Sequence, residues 1–387
     1  MTSYARERAR DRIAALAGDG LDVVTFWREA EEEIDRVVPH FGGACWYTLD
    51  PGSLLITSHF NEQMPVLPPE MLAHEYYEDD VNKLADVARS PTGLSTLHDA
   101  TAGDPSSSPR WNANMALGGD QEMIVGLRTA SGETWGGLGL YREPGLPMFD
   151  DDDKAFVSAV APALAEGARR GLLMAEALEP DGPEAPGLLI LGSSWEVESA
   201  TPGVERWLSD LTGGDEDVRR LPAAVLAVAG RARRSAEGRD KPGEVAVARV
   251  LTASGTWVVL HGATLVTDGR RRIAVIIEPA HPARIAPLLM AAYELTAREQ
   301  DVTRLVLQGE STAEIAARLV VSAHTVQQHL KRIFEKTGVR SRRDLVAKVF
   351  FAYYEPRVRD NEARVPDERP LRGGPMSPPG EEPAASA

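Results

Sequence analysis

The chain has 387 residues, a formal net charge of −16 and 43% hydrophobic residues. That length predicts two or three domains, and the apolar content is enough for real cores. A single cysteine, Cys45, excludes an internal disulfide framework. No apolar run reaches the roughly 20 residues of a membrane span. The charged start at Arg6, Glu7, Arg8, Arg10, Asp11 and Arg12 is unlike a signal peptide. These features predict a cytoplasmic protein with no membrane partner.

In chain order, an amphipathic helix is expected over 23–38 and strands over 44–49 and 54–60, around the turn Asp50-Pro51-Gly52. The stretch 61–119 is polar and reads as loop. Strands at 122–129 and 135–142 flank Ser131-Gly132-Glu133 as a hairpin, and a helix runs from Asp150 to about Met174. Its four leading aspartates read as an acidic first turn facing the helix dipole rather than a metal site. The proline-rich run from Glu179 to Gly187 is a linker. Beyond it a strand at 187–191 is continued by 195–198. Helices follow at 202–211 and 223–233, then three antiparallel strands at 245–252, 256–265 and 272–278. After Pro356 the chain is polar and proline-rich, a predicted disordered tail.

The segment 295–350 carries the clearest pattern. Thr296 stands three residues before Glu299, and Ser311 three before Glu314. Both are capping boxes. Ser322 caps a third helix that ends at Gly338, Gly309 ends the first, and Ser341 and Asp344 resemble another box. At 100° per residue the third helix turns Val326, Leu330 and Ile333 to one side. The opposite side presents His324, Gln328, Lys331 and Glu335, with Gln327 and Arg332 on the shoulders. The segment counts as +4, against −20 for the rest of the chain, the asymmetry expected when one part meets phosphate.

These residues resemble a family. Leu295-Thr296-Ala297-Arg298-Glu299, Ile315-Ala316, Ser322, Thr325-Val326, His329-Leu330, Ile333, Lys336, Gly338-Val339 and Ser341-Arg342 are similar to the LuxR-type (GerE or FixJ-type) DNA-binding domain. The resemblance implies an all-α four-helix helix-turn-helix over 290–355 whose partner is double-stranded DNA. Gln327, Gln328 and Lys331 are the expected base readers. Gln is suited to adenine N6 and N7, and Lys to guanine O6 or N7. Ser322, Thr325, Arg332, Lys336, Arg340, Arg342 and Arg343 are the expected phosphate contacts. Gln327 departs from the basic residue the family often has after Thr-Val, which points to a different base preference.

The order of elements before this module resembles an α+β GAF-like domain over 1–180, for sensing and dimerisation, and an α+β PAS-like domain over 187–284. The resemblance implies a small-molecule ligand, with Trp46, Tyr76, Trp111 and Trp135 as pocket candidates. It also implies a homodimer and a contact with RNA polymerase. The apolar stripe Phe156, Val160, Ala163, Leu164 and Gly167 is suited to a partner helix. No catalytic constellation stands out: there is no Gly-x-Ser-x-Gly elbow, no phosphate-cradling loop and no His-Glu-x-x-His. A non-enzymatic protein with no required cofactor or metal is expected. Three functions stay open: a ligand-modulated transcription regulator, a constitutive DNA-binding protein whose other domains dimerise it or bind proteins, and a DNA-tethered enzyme.

Overall fold

The structure is a computed structural model. It describes residues 3–63, 73–130, 132–174, 186–212, 221–241, 244–267, 270–280, 293, 295–307, 310–342 and 345. The chain divides into two compact units, Met1–Ala280 and His281–Ala387.

The first unit opens with α1 (Ser3–Leu16), α2 (Val23–Asp35), β1 (Cys45–Leu49) and β2 (Ile56–Phe60). Short elements follow: α3 (Ala73–Tyr76), α4 (Leu84–Arg89), β3 (Leu94–Thr96), α5 (Leu97–Ala100) and α6 (Pro109–Ala116). The segment closes with β4 (Gln121–Arg128), β5 (Thr134–Arg142) and α7 (Asp151–Met174). The strands form an antiparallel sheet in the order β2-β1-β5-β4-β3. Strand alternation sends Met123, Val125, Leu127, Leu138 and Leu140 to one face. There they join Ile13, Phe26, Trp27, Val157, Val160 and Leu164 of the three long helices.

The second sheet is built from β6 (Gly187–Leu191), β7 (Val197–Ala200), β8 (Val247–Leu251), β9 (Trp257–Thr267) and β10 (Arg270–Pro279). Its order is β7-β6-β10-β9-β8, the same sequence of positions as in the first sheet. Between β7 and β8 lie α8 (Val204–Thr212) and α9 (Ala223–Ala236).

Helix α9 joins the two sheets. Every residue from Ala224 to Ala232 is buried, as in a helix covered on all sides. One core cluster holds α9 together with Leu49, Leu55, Ile56, Leu84, Val87 and Ile124 of the first sheet segment. It also holds Leu189, Leu191, Val258, Leu260, Val275 and Ile277 of the second. Small side chains make the approach possible: a Cβ on Gly230 would lie 2.6 Å from the Tyr76 carbonyl oxygen. Polar contacts line the seam. Buried Asp50 accepts from the Arg249 backbone N–H and Nε, both at 3.1 Å, and from Nη2 at 2.7 Å. The Tyr77 hydroxyl donates to Glu237 at 2.9 Å, and Arg234 meets Asp79 at 2.8 Å.

Four expectations need correction. The stretch 61–119 holds four helices and an edge strand among its described residues. Trp195–Glu198 does not continue β6, because Trp195 sits at φ 66° in a turn and β7 returns antiparallel to β6. Helix α1 has no counterpart among the expected elements. The α7 stripe is already used: Phe156, Val160 and Leu164 are buried in the helix-side core, and a Cβ on Gly167 would strike the Phe26 ring. The stripe therefore holds its own domain together rather than a partner helix.

In the second unit, α10 (Ala297–Leu307), α11 (Thr312–Leu319) and α12 (Ala323–Thr337) enclose Leu295, Val302, Leu305, Val306, Ile315, Val326, Leu330, Ile333 and Leu345. The expected fourth helix lies largely outside the described residues, as do Gly309, Arg343, Asp344 and the tail beyond 356.

Candidate nucleic-acid interface

Caps set the start of each helix in the second unit. Thr296 N–H donates to Glu299 Oε2 at 2.9 Å, and Glu299 N–H to Thr296 Oγ1 at 3.3 Å. Ser311 N–H donates to Glu314 Oε2 at 2.6 Å, and Glu314 N–H to Ser311 Oγ at 3.3 Å. Each reciprocal pair satisfies two otherwise orphaned groups. The Ser311 amide, chief among the causes, lowers the Glu314 pKa. Ser322 Oγ accepts from the Thr325 N–H at 3.0 Å and opens α12. Gly338, at φ 69°, closes it. Between α11 and α12 the chain turns at Val320, φ 56°.

With its ends fixed, α12 shows a clean division. Val326, Leu330 and Ile333 are buried, while His324, Gln327, Gln328, Lys331, Arg332 and Glu335 are exposed. Lys331 is 80% exposed, with Glu335 at 3.9 Å. Gln328 Nε2 lies 3.0 Å from His324 Nε2. Gln327 is turned differently, its Nε2 donating to Thr312 Oγ1 of α11 at 3.3 Å. Gln328 and Lys331 thus share one outward ridge, and Gln327 leans toward the preceding helix.

The expected phosphate residues divide as well. Ser322 and Thr325 stand together at the N-terminus of α12, their hydroxyls 2.8 Å apart. Arg332 and Arg340 are exposed, and Arg342 is half-buried. Arg343 lies outside the described residues. Lys336 is engaged inside the unit, its ammonium 2.7 Å from the buried Glu299 carboxylate. Burial works against that carboxylate, but Lys336 and the Thr296 amide outweigh it and hold its pKa below the ordinary value. Lys336 thus ties α12 to α10.

The ligand-pocket candidates do not converge. Trp46 is fully buried on the helix side of the first sheet, stacked on Trp27 with ring centroids 5.7 Å apart, and its indole N–H donates to Glu31 at 3.2 Å. Trp135 is buried in β5. Trp111 donates to Asp120 at 2.9 Å on α6. Tyr76 packs against the core that α9 fills. Strand alternation and the two-sided packing of α9 take up Trp46, Trp135 and Tyr76, while Trp111 is half-buried and held by its bond to Asp120. A cleft of 570 Å³ lies elsewhere, lined by Thr96, His98, Asp99, Glu122, Met148 and Phe149 among others. Sequence reasoning missed it because most of its walls come from short segments without periodicity, which no local pattern brings to the strand that carries Glu122. Sequence reasoning also missed a buried polar cluster. Arg110 bonds Glu75 and, at 3.1 Å, Glu122, and Asn82 donates to Glu122 at 2.8 Å. Asp153 is also structural, paired with Arg142 and Arg6, each at 2.9 Å. Among the described residues no group of three or more His, Cys, Asp or Glu is placed to hold a metal ion. None of their helices is long and apolar enough to cross a membrane.

Residues 293–349 match the family model described as bacterial regulatory proteins, luxR family. An HTH-type transcriptional regulator of Mycobacterium bovis is 52% identical over 52 residues, which are 13% of this chain and 6% of that protein. The response regulator Rre1 of Synechocystis is 47% identical over 53 residues, 14% of this chain and 23% of that protein. The chain thus spans only a small part of the relatives it matches. A solved GAF domain from a cyanobacterial phytochrome, bound to phycoerythrobilin, aligns with 43% of this chain and 96% of its own. The identity is 17% and the TM-score 0.29, too low to bear on the fold. The C-terminal segment 293–349 is a LuxR-type helix-turn-helix domain.

Proposed function

We propose that this chain is a DNA-binding transcriptional regulator that reads its operator with the outer ridge of α12. The observation that carries the reading is the division of that helix. Three aliphatic side chains seat it in the core, while Gln328 and Lys331 stand exposed one turn apart. A helix held this way against a preceding short helix enters the major groove with its N-terminal half at base edges. In this reading Gln328 takes adenine, Lys331 takes guanine and Gln327 stands at the margin. Ser322, Thr325, Arg332, Arg340, Arg342 and Arg343 meet phosphates, and Lys336 serves the fold. The regulator acts as a homodimer on a two-half-site operator and contacts RNA polymerase from there. Light scattering of the full chain at twice its monomer mass is the expected result.

The two sheet segments are read as GAF-like and PAS-like, and their shared strand order supports treating them as one kind of unit. Two roles compete. In the first, a small molecule bound to them modulates DNA affinity. In the second, they serve only dimerisation or protein contact. The burial of α9 against the first sheet favours the second role for that face, since a helix of the same chain already fills it. Mass spectrometry of small molecules released from the denatured protein separates the two.

DNA binding itself is tested by salt. Removing one cation that meets a phosphate lowers the slope of log affinity against log salt by about one. Arg342→Ala should show that decrease and weaken all sequences alike. An unchanged slope removes Arg342 from the phosphate set.

A further inference from the structure

His324 has no role in the reading above, yet its position gives it one. It stands in the first turn of α12, exposed, and at 100° per residue His324, Gln328 and Lys331 fall within about 60° of the helix circumference. The Gln328 amide nitrogen lies 3.0 Å from the imidazole Nε2. An amide nitrogen donates and has no lone pair to offer. In this arrangement the imidazole Nε2 accepts, in the tautomer that carries its proton on Nδ1. This contact biases which way the Gln328 amide points. Its nitrogen is turned toward the start of the helix, and its oxygen faces the other way.

That orientation matters because adenine is read by an ordered pair. One amide N–H donates to N7 and the amide oxygen accepts from the N6 amine. A freely rotating amide presents donor and acceptor in either order. An amide whose second N–H is held by His324 presents them in one order. Gln327 offers a contrast: its amide nitrogen is engaged by Thr312 of another helix, which draws it off the ridge.

We propose that His324 is a specificity-determining residue that sets the amide orientation of Gln328 and so fixes the preference for adenine at one operator position. The inference rests on the proposed role of α12 as the base-reading helix. His324 acts here through Gln328 and is a positioning residue. Its chemistry predicts which replacements keep the effect. A side-chain carbonyl at 324 can accept from the Gln328 amide as the imidazole does. An ammonium can only donate, and it turns the amide over.

The test is selection from a randomised double-stranded DNA library by the full chain, followed by titration of the selected duplex. The wild type should show adenine at the position read by Gln328. His324→Gln should keep it. His324→Ala should broaden that single position and weaken the selected duplex about threefold to tenfold, a range typical of one hydrogen-bonding partner. His324→Lys should change the preferred base there and nowhere else. In a Gln328→Ala background, His324→Ala should have no further effect, which separates positioning from an independent contact. Unchanged thermal midpoints exclude a structural cause. If Gln328→Ala alters the selected sequence while His324→Ala does not, the His324 inference is overturned and the base-reading ridge survives. If Gln328→Ala leaves the selected sequence unaltered, the ridge itself is wrong and the inference falls with it.

Discussion

Val320 occupies the left-handed region at φ 56°, and the residue is 89% exposed. A β-branched residue gains nothing there, because its Cβ crowds the backbone and its exposure brings no burial. Such a conformation costs about 1–2 kcal/mol, and Asn tolerates it better. Val320→Asn should therefore raise the stability of the second unit by about 1 kcal/mol, read from the denaturant midpoint. A lower midpoint would show that the Val320 side chain stabilises the turn. His74 illustrates a different residue-scale effect. Burial first, then the charges of Arg110 and Lys83, pull its pKa from the ordinary 6.5 down to about 3. The unfolded chain binds a proton near pH 6.5 and the folded chain does not until near pH 3. Stability from the neutral imidazole is thus complete above pH 6.5 and declines as pH falls toward 3, by at most about 1.4 kcal/mol per unit. Between pH 7 and pH 5 the His74→Gln variant should lose about 1–2 kcal/mol less than wild type in urea titrations. Equal losses would mean that His74 titrates alike in both states.

At the scale of elements, the capped helices were the most legible part of the sequence. Thr296 with Glu299, Ser311 with Glu314, and Ser322 before Thr325 act over three residues, so their chemistry is local and visible in the chain. The long strands and α7 were legible for a similar reason, since alternation and helical period leave a pattern. α3, α4, α5 and α6 have eight residues or fewer, too short for a period to register, and they hid in a polar stretch. The α7 stripe shows a further limit. Its apolar face was readable, but the sequence could not say that α1, α2 and the sheet cover it. Nor could any local pattern reveal the pair Asp50 and Arg249, which are 199 residues apart. That pair gives an element-scale prediction. Asp50→Ala removes three hydrogen bonds from Arg249 and leaves a guanidinium only 22% exposed without its carboxylate. Breaking one side of such a pair costs about 3–5 kcal/mol when fully buried, so about 2–4 kcal/mol is expected here. Urea denaturation of the full chain checks it, and a change within about 0.5 kcal/mol would show the pair to be incidental.

Across the molecule, the two sheets share one core through α9, while the helix-turn-helix has a core of its own. A 1–280 fragment should unfold in a single cooperative transition. A 1–174 fragment should bind a hydrophobic dye, since Leu49, Ile56 and Ile124 lose the helix that covers them. A 1–174 fragment that stays dye-free and as stable as the longer one would mean the sheets fold independently. The charge balance separates the chain in the same way, with a basic C-terminal segment on an acidic remainder. The functional reading turns on α12 being the part that reads sequence. Its most direct test is the affinity of the full chain for its library-selected duplex and for a scrambled duplex, at one salt concentration, in the wild type and in Lys331→Ala. A base-reading lysine is worth about 1–3 kcal/mol of discrimination. The ratio of the two affinities should thus fall between about fivefold and a hundredfold in the variant, with binding to the scrambled duplex little changed. An unchanged ratio in Lys331→Ala, or no preference for the selected duplex in the wild type, would contradict the assignment of this ridge.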